Sequence, residues 1–282
     1  MDNLSILQVP RARNLRDAVI VPVLRNGFDY LNFETAKPPT DDVRVRRAII
    51  ESIDRADLLR SAYLGLRPFA NTEIPTVLWA NDSSIHPLPY DVRQAGRDLD
   101  AAGWLLKGNV RTRNGAPLSI ELVSDNRDYN RRVVTTVQRD LAQMGIAVTI
   151  HTYNNTIMYA PAPAGGIQYG GRFNMFSDNL YGGSDPEESE QWTCARRAPN
   201  GANMARFCDK AYDAAYAAQQ VTLDRSARSR FFSIMQRRIR DQAVLLPMAY
   251  DREYVVINPA LHEFRPNMLY DYWNAEQWDV TP

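Results

Sequence analysis

The chain has 282 residues, enough for about two domains and a full hydrophobic core, and 45% of them are hydrophobic against 23% charged. This composition excludes disordered and collagen-like chains. Thirty-three basic residues balance 33 acidic ones, so no net charge exists to draw in nucleic acid or an anionic membrane surface.

Residues 1–14, MDNLSILQVPRARN, have neither the basic start nor the apolar run of an export signal. Either the protein stays inside the cell or a signal has been removed. VIVPVLRNGFDYLNF, residues 19–33, combines β-branched and aromatic residues around Asn26-Gly27 and reads as a hairpin. The two prolines Pro38 and Pro39 exclude helix until Asp41 or Asp42, which can cap one whose buried face carries Val45, Ala48, Ile49 and Ile53. Leu58, Leu59 and Tyr63 continue a second apolar face as far as Gly65. Residues 67–90 hold Pro68, Pro75, Pro87 and Pro89 and read as a long irregular excursion.

Residues 91–103 form a short helix with Val92, Ala95 and Leu99 inside. A strand over 118–123, a helix over 129–144 and a strand over 146–150 then make a βαβ unit, which sets the class as α/β. Residues 161–203 are rich in Gly, Asn, Asp and Tyr, broken only by a short strand over 173–176, a composition suited to a ligand-facing surface. Helices over 207–219 and 225–242 follow, then strands over 244–250 and 253–257 and an aromatic tail through Trp273 and Trp278. The longest apolar stretch, 243–250, is interrupted by Pro247 and is far shorter than the roughly 20 residues of a membrane helix. Cys194 and Cys208 lie in a polar loop and can be a disulfide, two free thiols or half of a metal site. Metal is the weakest of these, since His86, His151 and His262 are scattered and no CxxC occurs.

YLNFETAKPPTDDVRVRRAIIESIDRADLL, residues 30–59, resembles the peptide- and nickel-type extracellular solute-binding proteins of ABC importers, family five. PLPYDVRQAGRDLDAAGW at 87–104, the helix over 131–145 with IAVTI, the set Asn203, Phe207, Asp209 and Asp213, and Leu246-Pro247 fall in the family's order. The resemblance implies a periplasmic-binding-protein-like α/β lobe corresponding to the C-terminal half of longer proteins. Residues 1–34 would be strands of a first lobe, 35–243 the second ligand-binding lobe, and 244–282 the return into the first. It also implies capture of a peptide, glycoside or similar small solute between two lobes, with no chemistry and no cofactor. The implied partners are a missing N-terminal lobe and a membrane-embedded ABC permease, and the implied setting is periplasmic or extracellular, at the membrane. One lobe offers half a pocket, so the chain alone should bind weakly.

In the family a W-x-x-D-x-x-DP segment lines the cleft, and in peptide binders its first Asp pairs with the ligand's ammonium. Alignment on Asp185-Pro186 puts Gly182 at that place, with Asp178 near enough to substitute or else to form a turn. Tyr169, Tyr181 and Trp192 offer flat faces for a solute, or core packing. Asn179, Asn203 and Arg206 offer directional hydrogen bonds, or turns and caps. Asp185, Glu187, Glu188 and Glu190 could hold a cation or an acid/base pair, though acidic residues after Asp-Pro more often open a helix. Two other functions compete. A hydrolase using Asp185 and Glu188 lacks any nucleophile or metal signature, and a ligand-sensing regulatory module of the same fold lacks a basic DNA-reading segment.

Overall fold

A computed structural model describes residues 2–280, without the side chains of residues 2, 3, 187 and 188. Its central sheet has six strands: β1 (Asp2–Leu4), β2 (Val19–Phe33), β3 (Ser119–Asp125), β4 (Ala147–Tyr153), β5 (Met175–Tyr181) and β6 (Leu245–Ile257). They lie side by side in the order β1-β6-β2-β5-β3-β4. The main helices are α1 (Val43–Glu51), α2 (Arg55–Tyr63), α3 (Val92–Ala101), α4 (Asp128–Gln143), α5 (Lys210–Gln220) and α6 (Arg225–Asp241). Asp42, Asp54, Asp91, Asp209 and Asp224 start five of these helices, each side chain accepting a backbone N–H of the first turn. Each such cap contributes about 1 kcal/mol.

Side chains alternate between the two faces of the sheet, so each face has its own core. Leu31, Phe33, Ile120, Leu122 and Met175 face α1 to α4 and pack with Ile49, Leu58, Leu99, Val134 and Leu141. Phe28, Tyr30, Val123 and Phe176 point the other way, into Tyr212, Phe232, Met235 and Ile239 of α5 and α6. A third, much smaller cluster of Val23, Val255 and Ile257 sits where β2 and β6 run on beyond β5.

The hairpin expected at Asn26-Gly27 does not form, because β2 is one continuous strand paired with β6 from Val19↔Ile257 to Asn32↔Leu245. Its register shifts between Leu24 and Phe28, so Asn26-Gly27 marks a bulge rather than a turn. Glycine is needed there for close approach: a Cβ on Gly27 would lie 2.5 Å from the Tyr181 ring. The two strands expected over 244–257 are likewise one strand, β6, since β2 offers a partner along that whole length. The strand expected over 173–176 is β5, which starts at Met175 and ends at Tyr181, so Asp178, Asn179 and Tyr181 lie on a strand and not in a loop.

β3 runs parallel to both β4 and β5. The chain leaves β3 through α4 to β4 on one side and then reaches β5 on the other. The connections at the carboxyl ends of β3 and β5 therefore diverge, the position at which open α/β sheets bind ligands in a crevice.

Candidate functional site

β3 ends on Asp125, whose buried carboxylate organises the turn into α4. Its Oδ1 accepts the Arg127 N–H at 2.9 Å and Asn130 Nδ2 at 2.8 Å, and its Oδ2 accepts Arg127 Nε at 2.5 Å. The Arg127 guanidinium also donates to Asn179 Oδ1 at 2.7 Å and stands 3.8 Å from Asp178 Oδ1. Burial works against this charge, but Asp125, Tyr129 and Asp178 hold its pKa above the usual value. About a third of the Arg127 side chain remains exposed, 35%. The result is a cation fixed on its protein side and open on the other.

Asp178 is buried on β5, and its carboxylate is taken up locally. Oδ1 accepts the Tyr159 hydroxyl at 2.6 Å and the Asn179 N–H at 2.8 Å, while Oδ2 accepts Gln168 Nε2 at 2.8 Å. Burial pushes its pKa up against these hydrogen bonds. An incoming ammonium would have to displace Tyr159 or Gln168, so Asp178 is placed to fix its neighbours.

Beside this network Arg67 is paired with Asp29 of β2 and lies 2.5 Å from Asp251 of β6. Its guanidinium covers the rings of Tyr63 and Tyr129 at 5.3 and 5.4 Å, and Arg127 covers Tyr129 at 5.1 Å. Burial pushes Asp29 up to about 6, with Arg67 opposing and Asp251 adding to the shift. Tyr181 lies over Gly27, half exposed, and with Gly182, Arg25, Asn26 and Asp271 lines an open cavity of about 280 Å³. A second cavity, of about 340 Å³, is walled by Tyr159, Tyr169 and three prolines.

The expected site residues thus divide. Asp178, Asn179, Tyr181 and Gly182 gather at the carboxyl end of β5, and Tyr169 joins through the Tyr159 cavity. The others lie apart from this group, each with its own partners. Trp192 is buried edge-on against Tyr30 at 6.2 Å. Asn203 is fully buried and donates to the carbonyls of Thr193 and Phe207 at 3.0 and 2.8 Å. Arg206 pairs with Glu34 and donates to the Tyr169 carbonyl at 2.8 Å. Asp185 accepts both terminal nitrogens of Arg228, at 3.1 and 2.7 Å. Cys194 and Cys208 are joined in a disulfide. Of the acidic run, Glu190 stands 3.6 Å from Arg196, while the side chains of Glu187 and Glu188 lie outside the described residues. No group of His, Cys, Asp or Glu among the described residues is arranged to hold a metal ion. Arg127, Tyr129 and Asp125 were not expected in the site; their signal was position, at the strand-to-helix junction of the βαβ unit.

Residues 1–201 match the profile of bacterial extracellular solute-binding proteins, family 5, middle part. The chain belongs to this family. Family-5 relatives include the nickel-binding periplasmic protein of Escherichia coli K12, 29% identical over 239 residues, which are 82% of this chain and 44% of that protein. Di/tripeptide-binding protein 3 of Pseudomonas aeruginosa is 25% identical over 244 residues, 85% of this chain and 43% of its own. The chain therefore spans less than half the length of these family-5 relatives. Among solved structures, the oligopeptide-binding protein AppA of Bacillus subtilis with a nonapeptide superposes with a TM-score of 0.87 at 16% identity, over 99% of this chain and 56% of that one. NikA of Brucella suis with Fe(III)-EDTA gives 0.83 at 24% identity, again over 99% and 56%. At these identities the superpositions establish the family-5 fold alone.

Proposed function

We propose that the chain is the second ligand-binding lobe of an ABC importer's solute-binding protein, and that it captures a carboxylate-bearing solute of the peptide class in an interlobe cleft. One observation carries this reading: Arg127 is clamped by Asp125 and Asn179 at the carboxyl ends of β3 and β5 with about a third of its side chain, 35%, exposed. A planar guanidinium held this way is preorganised for a carboxylate. The names of the relatives support the solute class. The Asp185–Arg228 ion pair argues against a hydrolase, because it engages the carboxylate that such chemistry would need.

The division of the chain into 1–34, 35–243 and 244–282 stays part of the proposal. β2 ends and β6 begins just outside the two proposed boundaries: their inner halves are buried in the two large cores, and their outer halves carry the small third cluster. That small cluster, with Leu15 and Val19 exposed beside it, supports a first lobe completed by further polypeptide. The disulfide supports an oxidising compartment outside the cytoplasm, with delivery to a membrane permease. Calorimetry with the dipeptide Ala-Phe and with its C-terminal amide tests the reading. The acid should bind at least about tenfold more tightly, as expected for a lost charge-assisted pair, and Arg127→Ala should abolish the difference. Equal affinity for acid and amide in the unaltered chain would contradict it.

A further inference from the structure

Almost every carboxylate buried in this protein is answered by a neighbour. Asp29 faces Arg67, Asp125 faces Arg127, Glu34 faces Arg206, and Asp178 has three hydrogen-bond donors. Glu51, buried with one unbonded oxygen, still has Arg47 and Arg97 in its field. Glu73 has no such neighbour, only a hydrogen bond from its own backbone N–H. It is 7% exposed, its Oε1 is sealed without a hydrogen-bond partner, and no described cation contributes to its surroundings. The neighbouring tyrosines are committed elsewhere: the Tyr212 hydroxyl donates to the Ser189 carbonyl at 2.7 Å, and the Tyr250 hydroxyl to Asn71 Oδ1 at 2.5 Å.

Glu73 lines a narrow slot whose other walls include Phe28, Leu78, Trp192 and Gly182. The slot has room for a water-sized group. Two of its wall residues are shared with the neighbouring cavity: Asn26 and Gly182, joined by a Gly182 N–H donating to the Asn26 carbonyl at 3.0 Å, also wall the cavity that holds Tyr181. A buried carboxylate that faces no cation and lines a slot beside two aromatic rings is costly in the free protein and attractive to a small cation.

We infer that this slot receives a primary ammonium group of the solute, with Glu73 as its counter-ion and the Phe28 and Trp192 rings beside it. The site rests on the solute-binding reading for its biological ligand, while its charge preference stands apart from that reading. A slot with room for a water-sized group admits an ammonium head and rejects a bulky guanidinium.

The test is a titration followed through the Gly182 amide and Trp192 indole NMR signals, using n-propylammonium chloride, propionamide as its neutral analogue, and potassium chloride as the salt control. Propylammonium should shift both signals, propionamide and potassium chloride should not, and Glu73→Gln should weaken the propylammonium response at least tenfold. Equal shifts from the neutral analogue or from the salt, no shift at either signal, or an unchanged response in Glu73→Gln would each overturn the inference. Glu73→Gln keeps the side-chain shape and removes an unpaired buried charge, so the variant should fold. Because the probe is not a peptide, a protein that binds propylammonium here but no peptide would sink the peptide reading alone. One that binds Ala-Phe equally well with Glu73→Gln would sink this site alone.

Discussion

Glu73 and Arg127 are both partly or wholly withdrawn from water, and they differ in what answers them. Arg127 is balanced on its protein side, whereas burial without a cation pushes the Glu73 pKa from its ordinary 4.5 up to about 7. The folded protein then holds a proton that the unfolded chain releases between those values. The contribution of Glu73 to stability is therefore fully present below pH 4.5 and is lost as pH rises through about 7. Glu73→Gln lacks this titration, so its advantage over the unaltered protein should grow across the same window and level off near 3 kcal/mol, roughly, above it. Chemical denaturation of both proteins from pH 4 to 8 measures this, and the difference cancels the titrations of Asp29 and Glu51, which both proteins retain. A constant difference across that range would mean that Glu73 ionises normally. At this scale the sequence showed composition better than roles. The Gly-, Asn- and Tyr-rich segment does contain Asp178, Asn179, Tyr181 and Gly182, but Asn203 carries the same residue type into the interior, where backbone carbonyls claim it. Arg127 was hidden because an arginine at a helix start looks like any solvated arginine until Asp125 is seen to hold it.

The helices were legible because their signals are local: an aspartate cap, an apolar stripe and a glycine or proline stop. The long strands were not, because Asn26-Gly27 has the same local chemistry in a bulge as in a turn, and only the full-length pairing of β2 with β6 decides between them. The bulge brings β2 under Tyr181, so Gly27→Ala should cost about 1–2 kcal/mol and swing the Tyr181 ring out of the cleft wall. The alanine Cβ would also stand 3.1 Å from the Leu180 carbonyl, a backbone atom that moves less easily than the ring. Thermal melting together with a crystal structure of the variant checks both effects; an unchanged melting point with Tyr181 in place would contradict them. The Cys194–Cys208 bond closes a loop with a sequence separation of 14 residues. Its removal in the Cys194→Ser, Cys208→Ser double variant should cost about 3 kcal/mol by loop closure, read as a lower denaturation midpoint.

For the molecule as a whole, the parallel β3, β4 and β5 with their helices would make one wall of the proposed cleft, and the outer halves of β2 and β6 reach past them. The chain covers 43–44% of the two relatives described above, which is consistent with one wall of two. Single-walled binding leaves much of a solute in water, so affinity should be low even where the contacts are well placed. The family resemblance was readable from the short runs spread along the chain, whereas the position of the crevice was not, since it depends on β5 joining β3 on the side opposite β4. The decisive measurement is a titration of the chain with Ala-Phe, followed residue by residue by amide NMR. Perturbations should concentrate on Arg127, Asn179, Tyr181 and Gly182, with a Kd weaker than about 1 μM. Submicromolar binding by this chain alone, or shifts confined to residues away from the ends of β3 and β5, would contradict the assignment of that crevice as one wall of a shared solute site.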